Sequence, residues 1–349
     1  MLRASVIIPT HNRPNYLREA LQSVVSQEGV ELDIIVIGDG AGEDAAAVVR
    51  EFPGVRYVWQ PQSGPNVARN HAVSLTQYDC VALLDDDDLW LPGKMRTQLE
   101  ILAEHPDAAY VFSDFYILRD GRPLIPNGLS TWGIPRAEWD RLLIEPLPPA
   151  ADFDFREAER SPPGGYRVDL YRPLLQHPYV LPTTAVFRKS FLTPDIRFVD
   201  TDFICGDWEF FARLSKRYAA IYMPVETACN RSHEEAGRLT RTPGVIQLQC
   251  RLEMIGRVWA DDEEFMADPD NRTIVSHTRF QCLLALAKHQ LRDGDGWGIR
   301  ESLDQAIGLG WKIPALLRTA RLCTSVPGGL FCLRTIYQFM AQARRLLGF

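Results

Sequence analysis

The stretch Cys80-Val-Ala-Leu-Leu-Asp-Asp-Asp-Asp-Leu-Trp-Leu-Pro92 decides how this chain is read. Residues 81–84 form an apolar run of strand length, the kind buried on both faces of a sheet. Four carboxylates follow at once: Asp85, Asp86, Asp87 and Asp88. Two unit charges about 4 Å apart repel by roughly 4 kcal/mol at an effective dielectric of 20. A fold that gathers acids at the buried end of a strand therefore needs positive charge beside them. A hard divalent cation, held by one or two carboxylates and completed by substrate phosphates, meets that need. An isolated acid run is more often a solvated turn. Here the preceding strand and Trp90-Leu-Pro92 fix the acids at a strand end, where open α/β sheets place their ligands.

Around this stretch the chain alternates. Residues 4–8 read as a buried strand ended by Pro9. Pro14 opens a helix to about residue 27, with Leu17, Ala20, Leu21, Val24 and Val25 at helical spacing. Strands are predicted at residues 32–37, 55–59 and 109–115, and helices near 43–51, 66–75 and 93–104. This alternation implies an α/β fold, a mostly parallel Rossmann-like sheet with helices on both faces. Residues 121–179 are rich in Pro, Trp and Asp and show no period, as a functional lid or binding loop does. Order resumes at 183–187, then a helix at 207–217 and a strand at 220–223. From residue 245 onward the pattern is mainly helical. The expected organisation is one domain over residues 1–240, with 121–182 an irregular insertion, and a helical C-terminal extension over 241–349. Residues 330–349 set Leu333, Ile336, Phe339 and Met340 beside Arg334, Arg344 and Arg345. Most such helices pack on their own domain; a basic amphipathic helix on an anionic membrane surface is the minority reading.

Composition narrows the function classes. The 349 residues are 46% hydrophobic and carry a formal net charge of −7, with no basic stripe to suit nucleic acid. Seven cysteines are scattered without a Cys-x-x-Cys pair, which fits neither a zinc site nor a disulfide framework and suits a reducing cytosol. The apolar part of residues 1–10 is too short for a signal peptide. No run approaches the roughly 18 apolar residues of a membrane span. The expectation is a cytoplasmic protein, at most peripheral at the inner face of the membrane.

Three further features converge on the same sheet edge. Pro9-Thr10-His11-Asn12-Arg13 follows the first strand and supplies donors and acceptors. Gly38-Asp-Gly-Ala-Gly42 follows the second, but Glu43 stands where a dinucleotide fingerprint needs its third glycine. Its Asp39 is instead an acceptor at a strand end, suited to a base N–H or a ribose hydroxyl. Arg69, on the helix after Gly64-Pro65, carries a guanidinium that can meet phosphate oxygens. A surface salt bridge would explain Arg69 equally well if it stood alone. Together the features describe a nucleotide diphosphate held between a loop, an arginine and a metal.

The run Ser5-Val-Ile-Ile-Pro-Thr-His-Asn-Arg13, followed by Ile37-Gly-Asp-Gly40, Ala68-Arg-Asn70 and Leu84-Asp-Asp-Asp-Asp88, closely resembles family 2 glycosyltransferases. The match is strong over the first third of the chain and thinner to about His233. The resemblance implies the GT-A fold, inversion at the anomeric carbon, a nucleotide-sugar donor with UDP-sugars favoured, and Mg²⁺ or Mn²⁺. By the same resemblance Pro9, Thr10, Asn12, Arg13, Asp39, Arg69, Asp85 and Asp86 line the donor site, and Asp85-Asp-Asp87 is the family's D-x-D motif. Asp87 would ligate the metal, and His233 would be a metal ligand or a diphosphate contact. Gly38 departs from the family, which often has an acid there.

An inverting transfer also needs a carboxylate to take the proton of the attacking acceptor hydroxyl. Cys205-Gly-Asp-Trp-Glu-Phe-Phe-Ala-Arg-Leu214 is similar to the family's Glu-Asp segment, which makes Asp207 the base, with Gly206 in place of the usual Glu. Asp207 also makes sense as a helix N-terminal residue, the resemblance alone favouring the base, and a helix N-terminus by itself lowers a carboxylate's pKa. Glu209 is the fallback base. Thr183 and Thr184 would line the acceptor side by resemblance, and Trp132, Trp139 and Trp208 are candidates to stack on sugar faces. The resulting expectation is a transferase that moves a sugar to a hydroxyl of a glycan or lipid-linked acceptor in surface polysaccharide or glycoconjugate synthesis. The alternatives are a non-catalytic nucleotide-sugar binder and, less favoured, a nucleotidyltransferase.

Overall fold

The structure, a computed structural model, describes residues 1–119, 122, 124–132, 142–147, 165–200, 204–232 and 242–324. The chain divides into two compact units, Met1–Ala236 and Gly237–Phe349.

The first unit begins with regular alternation. β1 (Leu2–Thr10), α1 (Pro14–Val25), β2 (Val30–Asp39), α2 (Glu43–Arg50), β3 (Arg56–Gln60), α3 (Pro65–Leu75) and β4 (Cys80–Leu83) follow one another with short connections. The acid turn comes next. After it lie β5 (Leu89–Trp90), α4 (Lys94–Glu104) and β6 (Ala108–Leu118). The remaining described elements are α5 (Gly128–Thr131), β7 (Leu143–Pro146), β8 (Tyr166–Val168), β9 (Val186–Arg188), α6 (Gly206–Arg217) and β10 (Ala219–Arg231). All these strands join one sheet in the order β3-β2-β1-β4-β9-β6-β10-β8-β7, with β5 paired to β10. Strands β3, β2, β1 and β4 run parallel, as do β6 and β10; β9 is antiparallel to both its neighbours. Helices cover both faces of this mostly parallel sheet, so β1, β2 and β4 carry unbroken apolar runs such as Val6–Ile8 and Ile34–Ile37, all buried.

Three local readings change in the fold. Val25, assigned to the buried stripe of α1, is 42% exposed, and Leu17, Ala20, Leu21 and Val24 suffice to bury the face. The last strand does not stop at residue 223. Pro224 lacks an N–H for the ladder, yet β10 runs on to Arg231, with register shifts between Met223 and Glu226 and between Glu226 and Ala228 absorbing the interruption. Residues 121–182, read as irregular, contain α5, β7 and β8, and β8 pairs antiparallel with both β10 and β7. Short strands set between prolines and glycines leave no period for a sequence reading to detect.

The second unit is helical: α7 (Gly244–Ile255), α8 (Glu263–Ala267), α9 (Pro269–Asp293), α10 (Gly296–Gly308) and α11 (Ala315–Cys323). Its core forms where Leu284, Ala287 and Leu291 of α9 meet Ile299 and Leu303 of α10 and Leu317 of α11. Among the described residues no helix is long and apolar enough to cross a membrane. The amphipathic segment expected at 330–349 lies outside the described residues.

Candidate active site

Because β1, β2, β4 and β6 all point the same way, the segments after them collect at one edge of the sheet. The acid turn sits at its centre, closed by a bond from Asp88 N to Asp85 O at 3.1 Å. Each of its carboxylates has a different set of partners.

Asp86 is buried and ties the turn to the end of β1. It accepts from Thr10 Oγ1 at 2.8 Å and from His11 N at 3.3 Å, and its Oδ1 meets Arg13 Nη1 at 3.1 Å. The same Arg13 nitrogen donates to Asp87 Oδ2 at 2.9 Å. Burial pushes the Asp86 carboxyl up to about 7, against the pull of Arg13 and with the nearby Asp87 adding to the rise. Asp88 is equally buried but faces the sheet interior. It accepts from Thr183 Oγ1 at 2.6 Å, from Asn230 Nδ2 at 3.2 Å and from Arg231 N at 2.9 Å. Its role is to join the turn to β10 and to residues 182–184. Burial, with Asp87 and Asp85 nearby, drives it well above the ordinary carboxylate range. Arg231 adds a bond from Nε to Asp87 O at 3.1 Å and pairs with Glu19 of α1.

Asp85 is more open than the other arginine-paired acids of the turn. Its side chain is 30% exposed, and its Oδ1 lies 2.6 Å from Arg69 Nη2. Arg69 is buried, places Nη1 3.2 Å from Asn66 Oδ1 and lies over the Phe198 ring. Among the described residues its Nε is a buried donor with no hydrogen-bond partner. Such a donor is costly to leave unmet and fits an oxygen-rich ligand at this position.

Asp39 stands at the end of β2 as expected, but its carboxylate is already engaged. Oδ1 accepts from Gln60 Nε2 at 2.9 Å and Ser63 N at 2.7 Å, and Oδ2 from Gly64 N at 2.8 Å. It therefore pins the turn that leads into α3 and Arg69, while His11 Nδ1 lies 2.7 Å from its backbone oxygen. Gly38 has a simple cause: a Cβ there would meet the Tyr57 hydroxyl at 2.1 Å. Pro9 lies within β1, opposite Ile37 of β2. Asn12 takes a left-handed backbone, φ 55°, and its Oδ1 accepts from Gly42 N at 3.4 Å, linking the first two strand-end loops.

Asp207 enters from α6, whose first turn it occupies. Its Oδ1 accepts from its neighbour's N–H, Trp208 N, at 2.8 Å. The expectation that the helix terminus would depress its pKa does not hold. Burial outweighs the opposing pull of Arg69 and raises it, with Asp85 contributing to the rise. Asp207 thus lies within electrostatic reach of Arg69 and Asp85. Glu209 is fully buried and accepts from Arg213 Nη2 at 2.6 Å on its own helix, the arrangement of a structural ion pair. Gly206 has no room for a side chain, since a Cβ would lie 2.0 Å from Asn66 Nδ2. The Asn66 carboxamide fills the space that an acidic residue at 206 would need.

Other expected residues fall differently. Thr183 and Thr184 are completely buried, and Thr183 braces the acid turn through Asp88 while Thr184 donates to Leu181 O. Trp208 is half-buried and donates from Nε1 to Leu174 O at 2.5 Å; Trp132 is 40% exposed and packs edge-on against Phe115. His233 and Trp139 lie outside the described residues. Sequence reading missed His11, Asn66, Asp88, Thr183 and Arg231 as supports of the site. His11 and Asp88 lay within recognised motifs; Asn66, Thr183 and Arg231 come from distant segments, and their support of the acid turn has no local signal.

Comparisons with known proteins agree with this geometry. The model of the glycosyl transferase family 2 matches residues 5–191, just over half of the chain. Among curated relatives, the putative teichuronic acid biosynthesis glycosyltransferase TuaG of Bacillus subtilis is 30% identical over 126 residues, covering 34% of this chain and 50% of TuaG. A Campylobacter jejuni GalNAc(5)-diNAcBac-PP-undecaprenol beta-1,3-glucosyltransferase is 32% identical over 127 residues, 35% of this chain and 40% of that protein. The chain thus spans half or less of the length of these relatives. Among solved structures, S. aureus TarS 1-349 in complex with UDP-GlcNAc has a TM-score of 0.56 at 16% identity, covering 98% of this chain and 92% of that one. The Pyrobaculum calidifontis mannosyltransferase PcManGT, in complex with GDP-Man and Mn²⁺, gives 0.51 at 16% identity, covering 99% and 87%. These likenesses show the GT-A fold. With the family motifs gathered at one sheet edge and the family model spanning more than half of its length, the chain belongs to glycosyl transferase family 2.

Proposed function

We propose that this protein is an inverting glycosyltransferase that moves a hexosyl group from a UDP-sugar to a hydroxyl of a glycan or lipid-linked acceptor in surface polysaccharide or glycoconjugate synthesis. One observation carries the reading: the first turn of α6, which bears Asp207, packs at Gly206 on Asn66, the partner of Arg69, and Arg69 in turn meets Asp85 at 2.6 Å. This proximity supports a single site for base and donor. TarS binds UDP-GlcNAc and PcManGT binds GDP-Man, which supports a nucleotide-sugar donor here.

Asp85 and Asp87 offer hard oxygen donors of the kind Mg²⁺ and Mn²⁺ prefer. Among the described residues no group of three or more His, Cys, Asp or Glu is arranged to hold a metal, so diphosphate oxygens complete the shell in this reading. A bound Mg²⁺ or Mn²⁺ supplies charge stabilisation for the departing diphosphate. The protein's own residues do the rest. Arg69 directs its free Nε–H to a phosphate or ribose oxygen, Arg13 holds Asp86 and Asp87 together, and Thr10 with Asp39 orders the nucleoside loop. Asp207 takes the proton from the acceptor oxygen as that oxygen attacks, and its raised pKa makes it a stronger base than a solvated carboxylate. The reading keeps the protein in the cytoplasm, where thiols stay reduced.

The test is Asp207→Asn. The expected result is unchanged UDP–Mn²⁺ binding with transfer to acceptor lost; near-normal turnover would remove Asp207 as the base.

A further inference from the structure

Behind the acid turn lies a lysine that this mechanism does not use. Lys94 opens α4 and is fully buried. Among the described residues its Nζ has one hydrogen-bond acceptor, Gln98 Oε1 at 2.5 Å, and stands 4.6 Å from the centre of the Trp90 ring. Burial pushes its amine well below the ordinary lysine range. Lysine is costly to bury, in side-chain entropy and in desolvation, and an apolar side chain would fill the same space without that cost.

Both of its contacts lead to one turn. Gln98 Nε2 donates to Thr184 O at 2.8 Å, and Trp90 Nε1 donates to Thr183 O at 2.9 Å. On its far side the same turn meets the acids: Thr183 Oγ1 donates to Asp88 and receives Asp85 N at 3.3 Å. The amine also decides which way round the Gln98 amide sits. Only with Oε1 toward Nζ does Nε2 face the Thr184 carbonyl, because an amide has one accepting and one donating end. Trp90, Gln98, Thr183 and Thr184 are all buried, so a lost bond leaves a polar group unmet rather than solvated.

We infer that Lys94 is a positioning residue: through Gln98 and Trp90 it locks the Pro182–Thr184 turn that holds Asp85 and Asp88, and so sets the acid turn for a nucleotide diphosphate and its cation. The inference rests on the reading of that turn as the donor site.

The test measures UDP binding in the presence of Mn²⁺ by calorimetry for the wild type, Lys94→Met and Gln98→Glu, beside their thermal unfolding. Lys94→Met keeps the volume and removes the amine. Gln98→Glu leaves Lys94 an acceptor, now a charged one, but turns an oxygen toward Thr184 O in place of the donor. Both variants are expected to raise the Kd about tenfold, as loss of supporting contacts does at metal sites. Both variants are expected to lower the melting temperature as well, through the unmet Thr184 carbonyl, so the control is Val48→Ala, a cavity in α2 that also lowers the melting temperature; it is expected to bind UDP–Mn²⁺ like the wild type, a split that a merely structural lysine would not produce. Wild-type affinity in Gln98→Glu overturns the inference, and this variant decides alone if Lys94→Met does not fold. A wild type that binds no UDP–Mn²⁺ overturns the donor-site reading itself, which separates the two failures.

Discussion

The charge on Asp86 should destabilise the ligand-free fold, and the size of the effect follows from its surroundings. Burial raises its carboxyl to about 7 in the folded protein, from 3.8 for the free side chain. Between those values the folded state holds a proton that the unfolded chain has released, so stability falls as pH rises through that window. The penalty is absent below the lower value and complete above the upper one. Each tenfold change in acidity corresponds to about 1.4 kcal/mol, so the full penalty comes to about 4 kcal/mol. Asp86→Asn removes the titration. It also weakens the bond from Arg13, which still holds Asp87; the pH-dependent part of that bond is already contained in the raised value of Asp86, and the rest is a constant offset. The assay is urea unfolding of both proteins, without nucleotide or metal, from about pH 4 to pH 8. The stability of Asp86→Asn minus that of the wild type should rise by about 3–4 kcal/mol across the range. A flat difference would mean that Asp86 ionises in the fold at no cost, and would refute the argument from burial.

Three other outcomes are expected. Since Asp207 is raised above the ordinary carboxylate range, kcat should fall as pH drops through its ionisation, at a higher pH than a solvated aspartate would give; a profile level down to about pH 4 would contradict this. Gly206→Ala should cost about 1–3 kcal/mol through overpacking against Asn66. Adding Asn66→Ala should recover part of that cost, and strictly additive unfolding energies in the double-mutant cycle would show that the two positions do not share space. Arg69→Met leaves Asp85 without its cation and removes the unmatched Nε donor, so UDP should bind about tenfold more weakly, equivalent to about 1.4 kcal/mol. Equal affinity by calorimetry would take Arg69 out of the donor site.

The local chemistry of this chain is open to reading in one dimension. The apolar run at 81–84 ends in acids, and β1, β2 and β4 are buried on both faces, so their sequences show continuous hydrophobicity rather than alternation. Pro14 and Pro65 start helices where the missing N–H does no harm. The glycosyltransferase motifs stand at the ends of those elements, so the parallel sheet and the sheet edge at which the motifs gather follow from their order alone. The stopping point of β10 did not, because the register shifts that carry it past Pro224 depend on its partner β6.

What the sequence determined by itself is which chemistry lies at which strand end. What only the tertiary structure decided is which of four adjacent aspartates does what. Asp85 pairs with Arg69, Asp86 and Asp87 share Arg13, and Asp88 turns inward to Thr183 and Arg231, although the residues themselves are identical. Likewise Gly206 is legible only as a departure until Asn66, 140 residues earlier, is seen to occupy its space. The physical reason is common to both. Burial and partner charge set a carboxylate's ionisation and role, and both are properties of neighbours brought from distant segments by the fold.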